Sequence, residues 1–147
     1  VKIFGTFTLP FAREKTYQNL HDPAILARCL PGCDALEKAG EDEYAMTIKL
    51  ALAGFSGLFA GKIKVTEARP PHSFKMLVEG SGKAGSLKGE GLITLSPSGT
   101  GTELAYDGDV QVGGAIAAAG QRTIDSTAKM MIRKFFEKFM EEVNAKT

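Results

Sequence analysis

Between residues 34 and 112 apolar positions recur at every second residue, the period of a β-strand, whereas helical spacing of three or four governs residues 11 to 30 and the last third of the chain. Lys2 to Leu9 alternates, with Ile3, Phe7 and Leu9 on one side, and predicts a first strand that Pro10 stops. Residues 11 to 20 carry Phe11, Tyr17 and Leu20 at helical spacing. Asp22-Pro23 then reads as an N-cap followed by proline at the first helical position of a second short helix, which ends near Leu30 and is closed by Pro31-Gly32. Tyr44, Met46, Ile48, Leu50 and Leu52 alternate with Ala45, Thr47, Lys49 and Ala51, and Phe59, Ile63 and Val65 mark the next strand. Phe74, Met76 and Val78 follow Pro70-Pro71, then Leu87, Gly89, Gly91, Ile93 and Leu95, then Leu104, Tyr106, Val110 and Val112. Short turns separate these runs, so they predict an antiparallel meander with one apolar and one wet face.

From Gly114 to Ala145 the spacing is helical. Ile116, Gly120, Ile124, Ala128, Met131, Phe135 and Phe139 form an apolar stripe that Ile132, Phe136, Met140 and Val143 widen, while Arg122, Lys129, Arg133 and Lys138 fall mostly elsewhere. Read as one helix, these roughly 32 residues reach about 48 Å, more than the ~38 Å diameter expected of a chain this long. Such a helix must cross the whole domain, with the strands wrapped around it. The expected fold is therefore α+β in the helix-grip arrangement: a curved antiparallel sheet of about seven strands around a long C-terminal helix, with two short helices after the first strand. Residues 1–147 read as one such domain, and a wrap of this kind leaves a cavity inside.

A 44% hydrophobic content over 147 residues supports a real core. Eighteen basic against 17 acidic residues leave a formal charge of +1, which gives nucleic acid no basic footprint. Cys29 and Cys33, in CLPGC, are spaced too widely for the usual redox pair, and only His21 and His72 could help them hold zinc; reduced structural thiols and no metal are expected. No apolar run approaches the ~18 residues of a membrane span. The N-terminus opens directly into a strand, so no signal peptide is expected and the expected location is the cytoplasm.

Gly80-Ser-Gly82-Lys-Ala-Gly85 spells GxGxxG but precedes a strand, where no helix dipole can meet a pyrophosphate. Its glycines, with Gly89 and Gly91, read instead as a turn and as positions that bend the sheet and leave interior space. His21 and His72 read as surface residues beside turns, and Glu67 as a rim charge at a strand end. Tyr44 and Tyr106 face inward, each hydroxyl reaching either water or a ligand. Phe55 and Leu58 stand at a glycine hairpin as a gate or a membrane-touching tip, or tucked under a helix end. Parity gives the sheet wall of the cavity as Tyr44, Met46, Ile48, Phe59, Ile63, Phe74, Met76, Ile93 and Tyr106. The helix wall is Ile116, Gly120, Ile124, Met131 and Phe135, with Gly120 making room at the mouth. Methionines in such a wall suit a bulky apolar ligand.

FTLPFAREKTYQNLHDPAILARCLPGCDAL, GLFAGKIKV, GSGKAGSLKGEG and GGAIAAAGQRTIDSTAKMMIRKFFEKF together resemble the CoxG family of carbon monoxide dehydrogenase subunits over nearly the whole chain. The LPGC turn and the Gly-Gly, Gly-x-Arg, Phe-Phe progression carry most of the likeness. That family belongs to the START and birch-pollen-allergen (SRPBCC) superfamily of helix-grip proteins. The resemblance implies a non-catalytic accessory protein that holds a quinone such as menaquinone and recruits a molybdenum hydroxylase, aerobic carbon monoxide dehydrogenase, to the inner face of the membrane. Peripheral membrane contact and a homodimer are further expectations. The alternatives are a helix-grip cyclase or hydrolase, which needs at least two ionisable groups facing inward, and an assembly factor whose interior is packed shut.

Overall fold

The computed structural model describes residues 1–52 and 55–146, and Leu52 and Phe55 by their backbone alone. Among these residues seven strands form one antiparallel sheet: β1 (Lys2–Leu9), β2 (Cys33–Gly40), β3 (Glu43–Leu52), β4 (Phe55–Arg69), β5 (Ser73–Gly82), β6 (Gly85–Ser98) and β7 (Gly101–Gly113). Their order across the sheet is β1-β7-β6-β5-β4-β3-β2. Six strands thus run as a meander, and the first closes against the last, with Lys2 opposite Asp109 and Leu9 opposite Thr102. Helices α1 (Arg13–Leu20) and α2 (Pro23–Cys29) lie between β1 and β2, and α3 (Gln121–Lys146) packs against the apolar face. This is the expected helix-grip architecture. The period-two pattern holds because one face of the sheet is covered and the other is wet: Tyr44, Ile48, Phe59, Ile63 and Phe74 are buried while Lys49, Lys62, Lys64 and Lys75 are exposed.

Asp22 caps α2 as its position before Pro23 predicts: the carboxylate accepts the Ala24 N–H at 2.9 Å. The same group pairs with Lys146 at 3.0 Å, tying the end of α3 to the start of α2. The hydrogen bond from Lys146 holds the Asp22 carboxyl below its ordinary pKa, helped by the Ala24 N–H. Replacing Asp22 with alanine is expected to cost about 1 kcal/mol at neutral pH. A depressed folded pKa makes the carboxylate's contribution present above the unfolded value and lost as pH falls through the folded one. The gap between the urea midpoints of the two proteins should therefore shrink as pH drops below 3.8.

The terminal helix differs from the expectation. Residues Ala115–Ala119 form a 3-10 turn and α3 begins only at Gln121, so the α-helix has 26 residues rather than starting at Gly114. Gly114 and Gly120 sit at φ 78° and 88°, a left-handed backbone that no α-helix passes through. The alanines of this segment favour helix, but tertiary contacts override them. The Ile116 N–H donates to the Ala84 carbonyl at 2.8 Å, and the Ile116 side chain is the one buried in the turn. At about 39 Å, α3 is still long enough to cross the domain.

Its two halves meet different surroundings. Toward the C-terminus Phe136, Phe139 and Val143 are buried against Leu9, Phe11, Leu104 and Leu95, with the Phe136 ring 4.6 Å from Phe7. Toward the N-terminus Ile124 is buried, but Thr127, Ala128, Met131 and Ile132 are only half-buried. That half stands over open space.

Candidate functional site

The space between the sheet and the first half of α3 is a cavity of about 380 Å³ with an overwhelmingly apolar wall. Tyr44, Met46 and Ile48 enter it from β3, Phe59 and Ile63 from β4, Phe74 and Met76 from β5, Ile93 from β6 and Tyr106 from β7. Ile116 enters from the 3-10 turn, and Ile124, Met131 and Phe135 from α3. These positions thus meet around one volume. Gly120 does not. It lies outside the lining, and a Cβ built on it would meet nothing within 4 Å. It serves the chain reversal before α3, its carbonyl accepting the Ile124 N–H at 3.1 Å, and does not make room at a mouth.

Several lining residues lie beyond the set expected from the sequence. Val65, Val78, Leu87, Val110 and Val112 share the inward parity of their neighbours, and Thr127 the helical spacing of Ile124 and Met131, so the alternation carries a signal for each. Leu26, Leu30 and Pro31 close the wall from α2 and the turn after it, which no periodicity shows. The floor is formed in part by Gly61, Gly80, Gly89, Gly91 and Gly108. The GxGxxG run is a hairpin turn, with Gly82 paired to Gly85.

The two tyrosines play unequal parts. Tyr44 donates its hydroxyl to the His21 carbonyl at 2.7 Å, so only its ring faces the cavity. Burial pushes its pKa up, and the Asp42 and Asp22 carboxylates add to that. The Tyr106 hydroxyl lies over Gly5, 2.7 Å from where a Cβ would stand, and has no hydrogen-bond partner among the described residues.

The histidines separate in the same way. His72 is exposed, as expected, beside Arg13 Nη1 at 3.0 Å. His21, expected on the surface, is half-buried. Its ring packs 4.5 Å from those of Tyr17 and Phe74, and Nδ1–H donates to the Tyr17 carbonyl at 2.8 Å. That carbonyl can only accept, so Nδ1 carries the proton, and the buried Nε2 has no hydrogen-bond partner among the described residues. The packing of α1 against β5, unseen in the local sequence, turns the ring inward.

Glu67 stands outside the cavity, exposed and paired with Lys75 at 3.0 Å, at a register shift between β4 and β5. Leu58 is not at a hairpin tip as expected but within β4, paired with Lys49 and half-exposed, because β4 already begins at Phe55; the Phe55 side chain lies outside the described residues. Both cysteines are free. Burial, with the Glu142 carboxylate nearby, pushes the Cys29 thiol up to about 11, so it stays protonated and unreactive near neutrality. Among the described residues no group of His, Cys, Asp and Glu is arranged to hold a metal ion, and no helix is long and apolar enough to cross a membrane.

A sheet gripping a helix over an apolar cavity defines the class of helix-grip proteins. Within it the chain belongs to the CoxG family of carbon monoxide dehydrogenase subunits, which it matches over residues 5–144. A conserved protein from Geobacillus kaustophilus superposes with a TM-score of 0.93 at 36% identity, covering 99% of this chain and 96% of that one. A START superfamily protein from Mycobacterium smegmatis gives 0.72 at 14% identity, covering 99% of each chain. Ara h 8.0201 gives 0.71 at 10%, covering 99% of this chain and 98% of its own, a likeness of fold alone. No curated protein sequence matches the chain.

Proposed function

We propose that this protein is a non-catalytic carrier that holds a lipophilic small molecule, a prenyl quinone such as menaquinone, between the sheet and α3. It presents that molecule to a molybdenum hydroxylase of the aerobic carbon monoxide dehydrogenase kind, working in the cytoplasm at the inner face of the membrane and recruiting the enzyme there. The observation that carries this reading is the cavity itself. Its volume of about 380 Å³ falls in the range of small-molecule sites. Each methylene of a prenyl chain moved from water into such a wall gains about 0.8 kcal/mol.

Family membership supports the accessory role, since the family is defined by a subunit of carbon monoxide dehydrogenase. An enzyme of this fold needs ionisable groups turned inward, and here Glu67 points away while the Tyr44 hydroxyl is committed to the backbone. An interior packed shut for docking alone does not agree with the open volume.

Mass spectrometry of a chloroform extract of the purified protein is expected to show a prenyl quinone, and a delipidated sample is expected to bind a quinone analogue saturably. Finding neither would remove the carrier reading.

A further inference from the structure

Two segments outside the sheet and α3 close the cavity wall: the α1–α2 unit, through Leu20, Leu26, Leu30 and Pro31, and the turn Ala115–Ala119, through Ile116. They are held very unequally. The α1–α2 side is tied by the Tyr44 hydroxyl donating to the His21 carbonyl at 2.7 Å, by the Lys49 N–H donating to the Gly32 carbonyl at 2.8 Å and by the ion pair of Lys146 with Asp22 at 3.0 Å. Among the described residues the turn has one hydrogen bond to the sheet, from the Ile116 N–H to the Ala84 carbonyl. The bonds from Ala117 to Gly114 and from Gly120 to Ala117 stay within the segment.

Burial divides in the same way. Ile116 is 4% exposed whereas Ala115, Ala117 and Ala118 are exposed, so a single side chain docks the turn. Its seat lies against the β5–β6 hairpin, where a Cβ on Gly85 would stand 2.9 Å from Ile116 Cγ1. Gly114 and Gly120 bracket the turn with left-handed backbones, and glycine leaves that region as readily as it enters it. Nothing lies within 4 Å of a Cβ built on Gly120, so no neighbour blocks rotation there. The alanines between them are denied their helical preference while the turn is docked, which lowers the cost of releasing it. The far end of α3 offers no comparable path, because Phe136, Phe139 and Val143 are buried there in the packed core.

We infer that residues 114–120 are the gate of the cavity: the turn swings on Gly114 and Gly120, Ile116 leaves the wall, and the Ile116–Ala84 hydrogen bond breaks and reforms with each opening. This rests on the carrier reading, which requires that the cavity be entered, and adds where entry takes place. The closed form predominates, so the gate sets how fast a molecule exchanges and leaves its equilibrium affinity unchanged.

Hydrogen–deuterium exchange of the Ile116 amide, followed by NMR, reads the opening without any ligand. Stopped-flow mixing of the delipidated protein with the dye 1-anilinonaphthalene-8-sulfonate reads entry. A left-handed φ is costly for alanine and less so for asparagine, so Gly120→Ala is expected to speed Ile116 exchange by about tenfold. Gly120→Asn should fall between that variant and the unmodified protein. Dye association and dissociation rates should rise together in Gly120→Ala while the Kd stays the same. Gly99→Ala is the control, since Gly99 is also left-handed, at φ 60° in the β6–β7 turn with nothing within 4 Å, and carries the same strain away from the gate. Equal acceleration of Ile116 exchange by Gly99→Ala, or an Ile116 amide that exchanges no faster than that of Phe139 in the unmodified protein, would overturn the gate. Dye rates that stay constant in Gly120→Ala would overturn it while leaving the carrier reading, tested by extraction, in place. A dye that finds no cavity in the unmodified protein would count against both.

Discussion

Truncating Phe139 to alanine is expected to lower the unfolding free energy by about 3–5 kcal/mol, a large share of the stability of a domain this size. Phe139 has no exposed surface. Its ring meets Phe11 edge-on at 6.4 Å and Phe136 at 6.1 Å and lies parallel to Phe135 at 5.9 Å. It holds the solid end of the core, where β1, α1, β7 and α3 converge on Leu9, Phe11, Leu104 and Val143. Surroundings this dense relax little, so the lost ring contacts and the void left behind add together. Denaturant midpoints at fixed m-value measure the effect, and a loss below about 1 kcal/mol would show that this end of α3 is not the packed anchor. Ligand binding by the variant that remains folded should change far less than stability, because Phe139 is not part of the cavity wall.

The reverse pattern is expected at the other end of the same helix. Ala128 lines the cavity on α3. Replacing it with phenylalanine places a ring in the empty volume and is expected to cut ligand affinity by about a hundredfold. The stability of the empty protein should hold or rise, since the ring fills a void instead of crowding a packed core. Gly120→Trp is the control. Its side chain would stand in open space outside the lining, so binding should not change, while a tryptophan at φ 88° should cost folding stability of about 1–3 kcal/mol. Unchanged affinity in Ala128→Phe, measured by titration with a quinone analogue, would place the ligand elsewhere.

Most of the fold is legible in the chain because the sheet is antiparallel and covered on one face only. In that arrangement a single alternation, such as Tyr44, Met46 and Ile48 against Ala45, Thr47 and Lys49, carries both the secondary structure and the facing of each side chain. Tyr44, Phe59 and Phe74 therefore reach the same cavity from three different runs of sequence. Alternation does not show positions decided by distant backbone. Residues 115 to 119 have the composition of a good helix, and the hydrogen bond from Ile116 to Ala84 in the hairpin of the sheet, the burial of the Ile116 side chain and the left-handed glycines at either end explain why they turn instead. His21 looks solvent-facing beside Asp22-Pro23, yet Tyr17 and Phe74 enclose its ring, a contact that joins α1 to β5. Tyr44 reads as inward-facing, but the acceptor for its hydroxyl is a main-chain oxygen 23 residues away. The glycines of β6 are readable as a source of space. Which glycines the backbone itself requires emerges only from the distances to the neighbouring strand.

The pairing of β1 with β7 also governs when the cavity comes into being. Lys2 and Leu9 have their partners at Asp109 and Thr102, so β1 waits for β7, the last strand of the sheet, before it can be hydrogen-bonded. Closing so long a loop is entropically slow, and sheets dominated by such distant contacts fold in milliseconds to seconds rather than microseconds. On the ribosome, at about 5–20 residues per second, β1 spends several seconds without its edge partner. The wall to which Tyr106 and Ile3 belong is assembled only after the chain has been released through β7, and α3 must then settle over it. The cavity is therefore complete only in the finished protein, and the ligand that the carrier proposal assigns to it would enter after synthesis rather than during it.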